Sequence, residues 1–237
     1  MVGYNVQTAV DSKHKLIVAE EVTRDVTDTH QLATMATQAQ QNLGVARLEV
    51  AADTGYCNNN NEVRRCVEAG ITPDVPKADT SANTRAGLFG KTRFRYDASK
   101  DAYACPAGAV LSYRFSTTEA ERPLRYYRAR GCRSCAIRAQ CTRNQANRTI
   151  TREAHQHLME AMAERVRAHP QKMKQRKALR EHPFGTLKRG WDYGHFLLKG
   201  LAKMRGEWSL MTLACNLRRA LNLVSFERLM AAVSAAG

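Results

Sequence analysis

The stretch RLEVAADTGYC puts a carboxylate, Asp53, at the end of an apolar run, Leu48–Ala52, and turns the chain at once through Gly55 and Tyr56. Side chains at the carboxyl ends of parallel strands in α/β sheets face the crevice where ligands bind. A carboxylate there can hold a hard divalent cation through oxygen. The competing reading is an Asp that caps its own turn, and the residue taken by itself fits that reading better. A second acid, Glu181, ends a long helical pattern in RKALREHPFGTLKRGW, with Phe184, a Pro/Gly break and then Lys188 behind it. A helix-borne carboxylate can share a metal with a strand-tip Asp, and a nearby lysine can neutralise a phosphate. Read alone, Glu181 is a solvated glutamate at a helix end.

Four cysteines form a separate constellation: Cys105, followed by Pro106 and Gly108, and then Cys132, Cys135 and Cys141 in CRSCAIRAQC. A C-x₂-C pair sets two thiolates on one ion, and two more complete the tetrahedron of structural zinc. Reduced thiols and an iron–sulfur cluster remain open beside Zn²⁺. Cys57, Cys66 and Cys215 fall on predicted elements and read as small core residues.

The charge is uneven. From Arg85 to Arg189 there are 24 basic and 8 acidic residues, a net +16, while the other 132 residues carry a net −1. So localised an excess points to a polyanion, because released counterions drive binding. Arg93, Phe94, Arg95 and Tyr96, and Arg125 to Arg130 with Tyr126 and Tyr127, interleave cations and aromatic rings that can meet phosphates and stack on unpaired bases. The alternative is an alternating strand with one wet face. No run is long and apolar enough for a membrane span, and no signal peptide precedes the first element. Seven cysteines without a secretion signal favour the reducing cytoplasm.

The elements that must position these groups follow from periodicity. YNVQTAV and LIVAEEVT flank a polar turn and predict a β-hairpin. A helix to Gly44, the strand LEVAA, a helix to Gly70 and a short strand near ITPDVP predict parallel pairing in a mixed sheet. From Thr151 a helical pattern runs to about Arg180, interrupted by Pro183 and Gly185. The last helix sets Leu210, Leu213, Leu217 and Leu221 on one stripe. Three regions follow: 1–80 and 151–237 as the two parts of a core, and 81–150 as a basic, Cys-rich insertion.

GYNVQTAVD, AADTGY, EHPFGTLKRGW and EWSLMTLACNLRRAL, in that order from Gly3 to about Leu223, resemble the DDE transposases of bacterial insertion sequences. The resemblance implies an RNase H-like α/β core in which three acids bind two divalent ions, Mg²⁺ or Mn²⁺, for cleavage and transfer of DNA strands. By it, Asp53 is the second acid and Glu181 the third. Lys188, with Arg189, stands at the lysine of the family's Tyr-Arg-Glu-Lys signature. Lys177 occupies the arginine position with Arg176 beside it, and Lys174 occupies the tyrosine position. Transposon ends and target DNA are the implied partners, and a homodimer stays open for the full-length enzyme. The family's first acid lies on a central strand upstream of the hairpin, and the sequence here opens at the hairpin. The expectation is a carboxyl-terminal portion whose sheet has a gap, and which does not cleave DNA by itself. A zinc-ribbon nucleic-acid-binding protein without catalysis is the first rival. A self-contained metal nuclease using Asp11 is the second. Glu207 is the reserve third acid.

Overall fold

Alternating residues make the hairpin of β1 (Asn5–Val10) and β2 (Ile17–Thr23), paired antiparallel. Asp11 closes its turn by accepting the amides of Lys13 and His14. This is a computed structural model that describes residues 3–56, 60–77, 81–119, 122–191 and 193–236; the side chains of residues 180–182, 188, 189 and 236 lie outside that description, and so does Cys57. Helix α1 (Leu32–Leu43) buries Leu32, Ala33, Met35, Ala36 and Ala39, and stops at Gly44, whose φ of +63° suits a residue without a Cβ. Its N-terminus has no side-chain cap of its own. Glu62, buried on α2 (Asn60–Glu68), accepts the Ala33 amide instead. Strands β3 (Leu48–Ala51) and β4 (Ile71–Asp74) flank α2 and pair in parallel, as their spacing predicts.

The next stretch holds α3 (Ala82–Arg85) and strands β5 (Arg95–Asp97), β6 (Ala102–Ala104), β7 (Val110–Glu119) and β8 (Arg122–Ala129). After them come α4 (Arg138–Cys141) and β9 (Thr149–Glu153). The five strands run antiparallel in chain order, each beside the next. Their core is Phe94, Tyr103, Leu111, Tyr127, Ala129 and Ile150. Asp101, in the turn between β5 and β6, accepts from the hydroxyls of Tyr96 and Tyr127 and from Arg125. Burial pulls its pKa up, but those donors outweigh it and hold the carboxyl below its ordinary range.

Four helices complete the chain: α5 (Gln156–Ala168), α6 (Pro170–Gly185), α7 (Leu201–Leu223) and α8 (Phe226–Ala236), with a π-helical turn at Thr186–Gly190. None of the described helices is long and apolar enough to cross a membrane. The chain divides into two compact units, Met1–Pro76 with Leu158–Gly237, and Lys77–His157.

Several expectations are corrected. Thr151 does not start a helix: Thr149, Ile150 and Thr151 are β-branched and join β9 against β8. The helical pattern then breaks at Pro170, which opens α6 where no amide donor is needed, whereas Pro183 stays inside α6. The leucine stripe of α7 faces outward, Leu210 and Leu213 being more than 60% exposed. The helix packs instead through Met204, Trp208 and Thr212, the first two in a cluster with Val22 and Leu187. Finally, the hairpin and the Asp53 strand share no sheet, which corrects the single mixed sheet and agrees with the gap expected in it: β1–β2 and β3–β4 are separate two-stranded sheets.

Candidate functional site

Asp53 follows β3 at its carboxyl end, where the Ala52 amide still donates to the carbonyl of Asp74 on the parallel neighbour. One carboxylate oxygen accepts the Thr54 amide at 2.7 Å, and the Asp53 carbonyl accepts from Tyr56 across a 3₁₀ turn. The other oxygen stands 3.3 Å from the Arg176 guanidinium. The side chain is 40% exposed. Asp53 therefore both stabilises its own turn and presents an oxygen outward, so the two readings of the sequence describe one side chain.

Helix α6 supplies the groups facing that strand tip. Arg176 and Lys172 are four residues apart and lie on one face. Lys172 meets Asp74 at 3.0 Å and Glu49 at 2.8 Å, and these carboxylates, Glu49 foremost, hold its ammonium above the usual lysine range. Asp74 is 2% exposed and also accepts from Arg165 of α5 at 3.0 Å. A buried carboxylate at the end of β4 thus ties both helices to the β3–β4 sheet.

A second layer lies on the other side of the Asp53 turn. Asp28 accepts from the side-chain amides of Asn5 and Gln7, each at 2.7 Å, and the Tyr56 hydroxyl donates to Gln7. A Cβ at Gly55 would sit 3.5 Å from an Asp28 oxygen, so this network abuts the turn. Gln7 is 1% exposed, although strand alternation assigns it to the polar face of β1. Sequence reasoning missed Gln7, Asp28, Asp74 and Lys172, because each takes its role from a partner at least 21 residues away. The available signal was the Asn-x-Gln pattern, two amides on one strand face beside the Asp53 turn.

The other expected residues fall as follows. Lys177 is exposed on α6. Glu181 belongs to the backbone of α6 and Lys188 and Arg189 to the π-helical turn; their side chains lie outside the described residues. Glu207 accepts the amides of Leu197 and Leu198 and the Tyr193 hydroxyl. Burial raises its pKa, but these donors outweigh it and the carboxyl titrates below its ordinary range. It anchors the segment before α7. Asp11 is held in the hairpin turn, 3.2 Å from His14.

In the second unit, Cys105, Cys132, Cys135 and Cys141 line one cavity of about 40 Å³. Burial, with the other three sulfurs nearby, pushes the Cys141 thiol up. The geometry does not carry the expected zinc: among the described residues no three His, Cys, Asp or Glu side chains gather closely enough to hold a metal ion. The cysteines are free thiols. Cys66 lies in the core as expected, its thiol pushed up to about 12 by burial and Glu62, and Cys215 is half-buried.

Of the expected basic and aromatic residues, Arg93, Arg95, Arg125 and Arg128 are exposed and Tyr126 is half-buried, whereas Phe94 is buried. Phe115 and Tyr126 stack with centroids 4.6 Å apart, and Arg114, Arg122, Arg125 and Arg128 of the same two strands are exposed. Tyr127, by contrast, is fully buried. Lys77–His157 carries 16 basic and 6 acidic residues, a net +10.

A family model described as a transposase DDE domain matches residues 104–221. The match runs from β6 into α7 and includes α6, while Asp53 lies outside it. No curated protein and no solved structure matches the chain.

Proposed function

We propose that this chain, a member of the DDE transposase family, uses Asp53 and Glu181 as two acids of an RNase H-like centre acting on DNA. The observation that carries the reading is Asp53 at the carboxyl end of a parallel strand, opposite the helix that bears Glu181 in its backbone and cations on its near face. Bound there, Mg²⁺ or Mn²⁺ would supply a Lewis acid for the developing charge of an in-line phosphoryl displacement. The described side chains do not make such a site by themselves, since one Asp53 oxygen accepts an amide and the other faces Arg176. This chain's own residues hold DNA: Arg114, Arg122 and Arg128 meet phosphates, and exposed Phe115, stacked on half-buried Tyr126, offers a face for unpaired bases.

The arrangement supports a protein that binds DNA and does not cleave it unaided. In fluorescence anisotropy, labelled DNA should bind with an affinity that falls steeply between about 50 and 200 mM salt. Arg114→Ala with Arg128→Ala should weaken binding and flatten the salt slope by roughly one contact per residue. Incubated with Mg²⁺ or Mn²⁺, the protein should leave DNA intact. Metal-dependent nicking that disappears in Asp53→Ala would overturn the inactivity, and salt-independent binding would overturn the DNA surface.

A further inference from the structure

The motif EWSLMTLACNLRRAL carries two adjacent arginines, Arg218 and Arg219, that lie outside the basic stretch from Arg85 to Arg189. Both are on α7 and, with Lys15 of the hairpin turn, line a recess of about 170 Å³ in the first unit. Thr186, Asn216 and Asn222 add polar groups, and buried Ile17 and Pro183 add apolar ones. Four other cations of this unit have carboxylate partners: Arg165 and Lys172 meet Asp74, Arg176 meets Asp53 and Arg205 meets Glu21. Among the described residues, no carboxylate pairs with Lys15, Arg218 or Arg219. Asp11, which shares the hairpin turn with Lys15, is engaged by His14 and by the amides of Lys13 and His14. Burial pushes the thiol of Cys215, another lining residue, up, so it adds no negative charge.

Neutral contacts hold these cations in place. Nε of Arg219 donates to the His14 carbonyl at 2.7 Å, and among the described residues its terminal nitrogens have no hydrogen-bond partner. The Arg218 guanidinium lies 6.0 Å from the centre of the Trp191 ring, which steadies it without using a donor. Asn216 donates to the Ile17 carbonyl at 2.7 Å and accepts its amide at 2.8 Å, fixing α7 to the first residue of β2. Lys15 has a φ of +61°, where glycine or asparagine is the easier choice, so the turn itself does not call for lysine. Cations also gather at the last carbonyls of helices, but α7 has no basic residue in its last turn, and its dipole does not account for the pair.

We propose that this recess binds one phosphomonoester group, that of a nucleotide or of a DNA 5′ end. Three cations without acids suit a group that carries close to two negative charges, and the arginine fork matches the oxygens of a phosphate. Sites for whole small molecules span about 300–1,000 Å³, so this smaller recess admits a terminal group and leaves the rest of the ligand outside. A phosphodiester within a chain carries one charge and is flanked by sugars on both sides, which a recess of this size turns away. Because both guanidiniums are already steered, little side-chain freedom is lost on binding. The inference does not rest on the DNA surface of β7 and β8, nor on any cleavage.

Two oligonucleotides of one sequence, labelled at the 3′ end and carrying either a 5′-phosphate or a 5′-hydroxyl, test the DNA end by fluorescence anisotropy. A nucleoside 5′-monophosphate against its nucleoside tests the free nucleotide by thermal unfolding. For a DNA end, the 5′-phosphate should tighten binding about tenfold. For a free nucleotide, the monophosphate at about a hundredfold excess over its Kd should raise Tm by roughly 5–10 °C, and the nucleoside should leave it unchanged. Lys15→Asn should reduce either preference, and Lys15→Asn with Arg218→Gln should abolish it. Asparagine suits the positive φ of residue 15 and both side chains are exposed, so the fold should hold. Arg114→Ala with Arg128→Ala should weaken both oligonucleotides equally and leave the preference intact, which separates this site from the β7–β8 surface. A preference for phosphate that is unchanged in either recess variant overturns the proposal. So does the absence of any preference in both assays.

Discussion

The two units treat their strands differently. In Lys77–His157, five strands form one sheet in chain order, and two of its tyrosines, Tyr96 and Tyr127, converge on one carboxylate, Asp101. In the other unit, four strands form two sheets with a cavity between them, and helices α5 and α6 are tied to one of these by the buried Asp74. The small unit is held by local hairpins around an aromatic core. The larger one is held by contacts made over long sequence separations, and among the described residues each of its strands pairs with one other strand only. Local pairing completes its own ladders, whereas parallel pairing through a crossover depends on which strand comes between.

This contrast can be broken most severely in the small unit. Tyr127→Ala removes a buried ring and its bond to Asp101, and should cost about 3–5 kcal/mol. Hydrogen exchange should then speed up throughout β5–β9 while α1 and α2 stay protected. Simultaneous loss of protection in α1 would show that the two units do not unfold separately.

A smaller effect is expected from Asp74→Asn, which leaves Arg165 and Lys172 without their buried charge partner. Breaking such a buried pair costs about 3–5 kcal/mol when both partners are buried. The two cations are about one-third exposed, so water recovers part of it and about 2 kcal/mol remains. Urea denaturation should show a lowered midpoint for the larger unit. An unchanged midpoint would remove Asp74 as the tie between β4 and the helices.

The mildest test is acid. Asp101 and Glu207 both titrate below their ordinary ranges in the folded state, one in each unit. Their contribution is present above the unfolded carboxylate pKa and is lost as pH falls through the folded one, a window below about pH 4. Asp101→Asn should flatten the acid dependence of the small unit and Glu207→Gln that of the larger. Equal flattening of both units by either substitution would contradict the separation.

Much of this was legible beforehand. The hairpin, α1 with Gly44, β3, α2 and β4 follow from periodicities of two and 3.6 with their stop signals, which are local properties. The break at Pro170 was also local, but the continuous apolar pattern on either side masked it. The exposed leucines of α7 were beyond reach, since a stripe at helical spacing states that a helix is amphipathic and not which face meets β2. At the site, Asp53 was legible from its place behind an apolar strand. Its partner Arg176 was expected at DNA, because the sequence carries no measure of the distance between α6 and β3.

What the sequence determined by itself was the set of elements, the acid at the strand tip, the concentration of positive charge and the family. Each is encoded in residue type and near-neighbour spacing. The tertiary structure alone decided that Gln7 is buried, that Asp74 pins two helices, that four thiols gather without ligand geometry, and that β1 and β3 face each other across a cleft. Those outcomes depend on residues tens of positions apart meeting in space, where burial and charge are settled by whatever packs alongside.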